Sequence, residues 1–257
     1  MKELTSALDD IRARILQATP PQLRHTNPAL VAVSKYKPAE DVLACFEHGQ
    51  RDFGENYVAE LSEKAAALPT DIRWHFIGTL QSNKCKPLAA IPNLFAIQTL
   101  DTAKKATTLN NALPKSRTYP LHVFIQVNTS GEESKSGLPP ISIEASTPET
   151  SELAKLALHI INDCDRLHLR GLMTIGSIEQ STSSGPNEDF SALVYTSNAL
   201  QNILPKDRYP WGVDGKLELS MGMSADFEPA IRAGAGTVRV GTSIFGSRKT
   251  KDEVAQS

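Results

Sequence analysis

Short apolar, β-branched runs alternate with amphipathic helical patterns along most of the chain. Leu4, Ala7, Leu8, Ile11 and Ile15 recur at helical spacing, which predicts an opening amphipathic helix ended by Pro20 and Pro21. Leu30 to Lys37, reading Leu-Val-Ala-Val-Ser-Lys-Tyr-Lys, predicts a buried strand stopped by Pro38, which lacks an N–H to donate. A helix follows over Ala39 to His48, with Val42, Leu43 and Phe46 inward and Gly49 as C-cap. Next come a strand at Asp52 to Tyr57, an alanine-rich helix at Val58 to Leu68, a strand at Arg73 to Gly78 and a short helix at Gln81 to Leu88. Leu94 to Leu100 reads as strand, and Asp101 or Thr102 caps a helix running to Leu113. Leu121 to Asn128 suits a strand buried on both faces, followed by a polar loop to Pro148 and a helix from Glu149 to Asp163. The remaining pattern is a strand at Leu169 to Gly176, a mobile Ser- and Gly-containing loop at Ser177 to Asn187, and a helix at Phe190 to Leu204. A strand at Leu217 to Ser224, a short helix at Phe227 to Ala233, a strand at Thr237 to Gly246 and a charged, frayed tail from Ser247 complete it.

Eight strands, with a helical pattern after each of the first seven, predict an α/β fold with a parallel sheet and crossovers. At 257 residues this favours a single (β/α)₈ barrel of the TIM type with an extra N-terminal helix; a doubly wound sheet is the alternative. There is no GxGxxG, no Walker sequence and no shift in composition, so one domain over 1–257 is expected, with its barrel core at about 30–246. Twenty-seven basic against 29 acidic side chains leave no global field to recruit nucleic acid or an anionic membrane. Cys45, Cys85 and Cys164 stand far apart without a CxxC pair or histidine cluster, which suggests neither a zinc site nor a disulfide framework and fits a reducing compartment. The N-terminus carries acidic residues and no apolar core, and no stretch approaches a membrane span, so a cytoplasmic protein is expected.

In such a barrel, function sits at the carboxyl ends of the strands, and those ends are unusually polar. They hold Lys35, Glu55, Asn56, His75, Asn128, Met173 and Thr174, Met221 to Ser224, and Arg239 with Gly241 and Thr242. Lys35 closes an apolar face: it is either a stem whose ammonium reaches water or a desolvated amine able to attack a carbonyl. Ser224 just before a helix, and Gly241 with Thr242 after the last strand, together suit a phosphate pocket, although each taken singly reads equally as a cap or a turn. Arg239, inside Thr-Val-Arg-Val-Gly, needs either a carboxylate such as Glu55 or a ligand acceptor. His75, between Trp74 and Phe76, reads first as a hydrogen-bonded core histidine and second as an acid/base. Asn56 either orients a ligand or starts a helix. Lys84, Lys86 and Lys135 read as solvated surface charges, and Cys85 between two of them as incidental.

Several motifs resemble the pyridoxal phosphate homeostasis protein family, which is related to the barrel domain of alanine racemase. They are Val-Ser-Lys35-Tyr-Lys-Pro, Phe-Gly-Glu-Asn56-Tyr, Trp-His75-Phe-Ile-Gly-Thr-Leu-Gln-Ser-Asn-Lys84, Gly-Leu-Met173-Thr-Ile-Gly, Leu-Ser-Met-Gly-Met-Ser224-Ala-Asp-Phe and Val-Arg239-Val-Gly-Thr242-Ser-Ile-Phe-Gly. The resemblance implies a barrel, monomeric or weakly associating, that binds pyridoxal 5′-phosphate covalently as an aldimine on Lys35. It implies Ser224, Gly241 and Thr242 at the phosphate, Arg239 at the pyridine nitrogen and Asn56 near the ring hydroxyl; His75 and Met221 complete the cofactor-binding set. Pyridoxal phosphate-dependent apoenzymes are the implied recipients.

An arginine at the ring nitrogen disfavours its protonation, which weakens the electron sink that carbanion chemistry needs. A racemase also needs a second base, and only about a dozen residues follow Gly246. The expected function is therefore intracellular pyridoxal phosphate homeostasis without efficient turnover. The alternatives are a low-efficiency amino-acid racemase using His75 or water as the missing base, and, independent of the resemblance, a lysine-dependent aldolase of sugar phosphates.

Overall fold

The computed structural model describes residues 2–21, 27–142, 147–183, 185–206 and 211–247; the expected charged tail beyond Ser247 lies outside them. The first helix, α1 (Lys2–Ala18), buries Leu8, Ile11 and Ile15, the apolar stripe of its pattern, and packs on the last two helices of the chain. Alternation then begins with β1 (Ala29–Val33), α2 (Ala39–Glu47), β2 (Asp52–Glu55), α3 (Val58–Ala67) and β3 (Arg73–Phe76). A 3₁₀ turn at Ser82–Lys84 leads into α4 (Cys85–Ala89), followed by β4 (Leu94–Leu100), α5 (Ala103–Ala112) and β5 (Leu121–Gln126). A second 3₁₀ turn at Pro148–Thr150 precedes α6 (Glu152–Asp163), β6 (Leu167–Met173), α7 (Ile178–Thr182) and α8 (Glu188–Ile203). The last elements are β7 (Glu218–Ser220), α9 (Phe227–Arg232), β8 (Thr237–Val240) and α10 (Thr242–Phe245).

The strands are all parallel and close in sequence order, β8 returning to β1 through Ala29 opposite Thr237 and Ala32 opposite Val240. The fold is a (β/α)₈ barrel with an added N-terminal helix, as the strand count predicts, and the doubly wound alternative is excluded by the closure. Residues of the strand faces that meet the helices, such as Phe53, Trp74, Ile97, Leu121 and Val238, form the main core with Leu61, Leu88, Leu109 and Leu193 from the helices. A barrel interior is commonly filled by layers of branched apolar side chains. Here its middle holds polar groups as well, among them Gln98, Ser220, His75 and Arg239, each buried.

Some local expectations change, and β7 covers only Glu218–Ser220 of its predicted run. The segment 177–187 is not simply a loop, because Ser177 accepts the amide of Gln180 at 3.1 Å and caps the short α7. The last strand is shorter than its apolar run, because the chain turns at Gly241 into α10. Among the described residues no helix is long and apolar enough to cross a membrane.

Candidate functional site

β1 brings the chain to the carboxyl rim at Val33, and the next residues leave the sheet. Ser34 is buried, Lys35 is half-buried, and Tyr36 takes φ 62°, in the left-handed region. Lys37 N–H donates to the Ser34 carbonyl at 3.0 Å, so Tyr36 fills the third position of a turn, where glycine usually stands. Left-handed backbone costs a side-chain-bearing residue about 1–2 kcal/mol. Bonds from outside the turn offset that cost: Tyr36 N–H donates to Glu60 Oε1 at 2.7 Å, Lys64 Nζ donates to the Ser34 carbonyl at 2.8 Å, and the Tyr36 and Tyr57 hydroxyls meet. Lys35 therefore stands in a braced turn two residues past the end of β1, although the apolar run predicts a strand that continues through it to Lys37.

Lys64 also donates to Glu55 Oε1 and to Glu60 Oε1, each at 2.7 Å, and is itself buried. Ser34 Oγ donates to the same Glu55 oxygen at 2.7 Å, while Glu55 Oε2 is buried without a partner. Burial pushes the Glu55 carboxyl up to about 7, against the pull of Lys64 and Ser34. Glu55 thus faces α3, so the expected alternative of an ion pair with Arg239 is not formed.

Arg239, 4% exposed, points into the barrel. Its Nη1 donates to Ser220 Oγ and its Nη2 to the Thr174 carbonyl, both at 2.7 Å. Burial lowers its pKa to about 10, with Asp226 opposing only through space. The Ser220 hydroxyl donates onward to Gln98 Oε1 at 2.7 Å, and the Gln98 amide donates to His75 Nδ1 at 3.0 Å. An amide NH₂ can only donate, so Nδ1 accepts and Nε2 carries the proton that meets Asp52 Oδ1 at 2.9 Å. Asp52 also pairs with Arg73 at the opposite rim. His75 is thus a core histidine with both ring nitrogens engaged, linked to Arg239 through two side chains.

Ser224 and Gly241, expected to converge, are bonded: Gly241 N–H donates to Ser224 Oγ at 3.2 Å. Ser224 is not the cap of α9, whose N-cap position belongs to Asp226. A Cβ on Gly241 would lie 3.2 Å from both Val33 Cβ and the Val33 carbonyl oxygen, so its missing side chain lets β8 approach the end of β1 closely. Thr242, exposed, opens α10, and Lys37 Nζ ties the Lys35 turn to the far end of that helix through the Ser247 carbonyl at 2.9 Å. Asn56, just past β2, has a buried Oδ1 with no partner, the mark of an acceptor awaiting a donor. A Cβ on Gly78 would fall 2.0 Å from the Asn56 carbonyl oxygen, so glycine there admits the Asn56 backbone. Met221 is fully buried in the main core, and it packs behind the rim.

The rim thus brings Lys35, Asn56, Ser224, Arg239, Gly241 and Thr242 to one end of the barrel, with His75 and Met221 behind them. Sequence reasoning missed Glu60, Lys64 and Gln98. Glu60 and Lys64 do carry a local signal, an i,i+4 pair on an alanine-rich helix directly after Asn56. Lys135 is more than a solvated charge, since it donates to the Gly176 carbonyl at 2.7 Å and joins two rim loops. Cys85 is fully buried, and burial raises its thiol pKa, so its neighbouring lysines do not activate it.

Residues 8–249 match the family model described as alanine racemase, N-terminal domain. The chain is 45% identical over 251 residues to the pyridoxal phosphate homeostasis protein of Schizosaccharomyces pombe, covering 98% of this chain and 95% of that one. It is 44% identical over 253 residues to the human pyridoxal phosphate homeostasis protein, covering 94% of this chain and 86% of that one. Among solved structures, PipY of Synechococcus elongatus with pyridoxal phosphate bound superposes with a TM-score of 0.69 at 27% identity, over 95% of this chain and all of that one (100%).

Proposed function

The chain belongs to the pyridoxal phosphate homeostasis protein family, and on that premise we propose that it binds pyridoxal 5′-phosphate through a reversible carbon–nitrogen bond to Lys35 and holds the cofactor for exchange rather than for turnover. The residues present fit the group. Asn56 Oδ1 is an orphaned acceptor suited to the ring hydroxyl, and Ser224, Gly241 and Thr242 offer hydroxyls and backbone amides suited to a phosphate. Arg239 would face the ring nitrogen, while His75 and Met221 support the site from behind. When bound, the cofactor would supply an aldehyde that captures amines and a ring able to draw electrons from them.

The observation that carries the reading against turnover is Arg239. Its guanidinium is buried, and it donates to a hydroxyl and a carbonyl rather than to a carboxylate. A cation held there opposes protonation of a neighbouring ring nitrogen and so weakens the electron sink. A racemase reading needs a base on the face opposite Lys35. His75 cannot serve without breaking its bonds, since Asp52 and Gln98 occupy both ring nitrogens and only 3% of it is exposed. Release by exchange of Lys35 for another amine, including a lysine of an apoenzyme, fits a half-buried amine at a rim. We propose a monomer acting in the cytoplasm.

The test is the visible absorption spectrum of the purified protein before and after borohydride, beside Lys35→Ala. A yellow band that borohydride bleaches, with the reduced label on Lys35, and no amino-acid turnover at ordinary enzymatic rates is the expected result. A wild type that neither carries nor takes up pyridoxal phosphate overturns the binding reading; rapid turnover overturns the holding role alone.

A further inference from the structure

The turn that carries Lys35 is braced from outside the barrel, on the side away from Arg239. The two backbone groups flanking Lys35, the Ser34 carbonyl and the Tyr36 N–H, are each bonded to a side chain of α3: Lys64 Nζ at 2.8 Å and Glu60 Oε1 at 2.7 Å. Lys64 and Glu60 are in turn bonded to each other at 2.7 Å, one helical turn apart, so the brace is a single unit. Lys64 spends all three of its N–H groups, on Ser34, Glu55 and Glu60. Burying an ammonium and a carboxylate, with a second carboxylate half-buried, is a costly way to fix a helix against two strands, and apolar side chains would do it as well. What apolar side chains would not do is grip the backbone on both sides of one residue. The grip also has a purpose visible in the backbone: Tyr36 is left-handed, a conformation its side chain disfavours and one that persists only when neighbours impose it.

We propose that Glu60 and Lys64 are positioning residues for Lys35, holding the left-handed turn on both sides of it so that its amine meets an aldehyde in one orientation. The inference rests on the reading of Lys35 as the group that captures the cofactor's aldehyde. In that step the unprotonated amine adds to the aldehyde carbon, a carbon–nitrogen double bond forms, and the carbonyl oxygen leaves as water with both amine hydrogens. No oxidant or reductant takes part. Displacement of the attacking atom by about an ångström is enough to slow such a reaction by a large factor.

The full-length chain, stripped of bound aldehyde, is mixed with pyridoxal 5′-phosphate and separately with pyridoxal, which lacks the phosphate. Formation of the double bond is followed by absorbance, and borohydride trapping on Lys35 by peptide mapping. Lys64→Met leaves buried Glu55 without its cation and risks the fold, so Glu60→Ala carries the test, its side chain being 21% exposed. Glu60→Ala is expected to slow trapping of both aldehydes by about ten- to a hundredfold, with the circular dichroism spectrum unchanged. Adding Tyr36→Gly to Glu60→Ala is expected to recover most of that rate, because glycine takes positive φ without a brace. Wild-type rates in Glu60→Ala, alongside no trapping in Lys35→Ala, overturn the positioning role and leave the cofactor reading standing. Slow trapping that Tyr36→Gly fails to recover also overturns it. If wild type traps nothing on Lys35, the cofactor reading has failed and this inference falls with it.

Discussion

Gln98 on β4 accepts the Ser220 hydroxyl of β7 at 2.7 Å. These strands are not neighbours in the closed order, so the bond spans the barrel interior and joins opposite walls. It is the second link of a directional chain from Arg239 through Ser220, Gln98 and His75 to Asp52. Every donor in the chain has an acceptor, which is the condition under which buried polar groups fix a core rather than loosen it. Gln98→Leu would leave the Ser220 hydroxyl proton without an acceptor and His75 Nδ1 without a donor, and is expected to cost about 1–3 kcal/mol in urea unfolding. Unchanged unfolding curves would show that water replaces the amide and that the chain contributes nothing.

The far end of that chain sets an acid limit on stability. Burial works to raise the Asp52 carboxyl, but hydrogen bonds from His75 and Arg73 outweigh it and bring it down to about 2 from an ordinary 3.8. A carboxyl whose folded pKa is depressed adds stability above its unfolded value, and that stability is lost as pH falls through the folded value. Asp52→Asn is therefore expected to be less stable than wild type at neutral pH by about 2 kcal/mol, reduced by the half-exposed position of Arg73, with the gap closing between pH 3.8 and about 2. Denaturation series across that window measure it; a gap that stays constant would assign the effect to packing.

Much of this architecture is legible in local pattern, and the places where it is not have physical causes. β4 runs over Leu94–Leu100 as its apolar run predicts, since polar or helix-capping residues bound it on both sides. β1 ends four residues before Lys37 because Glu60 and Lys64 pull the chain into a turn, and no pattern within Leu30 to Lys37 carries that information. The rim residues are readable because they sit at strand ends, which the alternation locates. The partner of Arg239 is not, because choosing between Glu55 and a ligand depends on which side of the sheet each residue faces. Likewise Gln98 and Ser220, 122 positions apart, meet only through closure of the barrel.

Gly78→Ala tests the support beneath Asn56. The added methyl carbon would lie 2.0 Å from the Asn56 carbonyl oxygen, a backbone atom that cannot rotate away, so the loop after β2 must shift. The expected result is a loss of about 1–3 kcal/mol or more in thermal unfolding, together with weaker pyridoxal phosphate binding as Asn56 moves. Full stability with weakened binding would show that the loop yields cheaply; full stability with unchanged binding would remove Asn56 from the site.

Glu55 sets a limit from the alkaline side. Its carboxyl is fully buried, and burial raises it from an ordinary 4.5 to about 7 even with Lys64 and Ser34 bonded to one oxygen. A carboxyl whose folded pKa is raised favours folding while it holds its proton. Its contribution is complete below 4.5 and is lost as pH climbs through about 7. Glu55→Gln keeps an acceptor for Ser34 and Lys64 but cannot ionise. Relative to that variant, wild type is expected to lose stability from pH 4.5 to 7, by at most about 3 kcal/mol, the full difference between the two pKa values. Because Ser34 bonds to Glu55 and also immediately precedes Lys35, the same ionisation acts on the base of the lysine turn. Urea unfolding of both proteins across that range measures the slope. A flat difference would mean that the ammonium of Lys64 holds Glu55 ionised throughout, and that attraction rather than desolvation governs the pair.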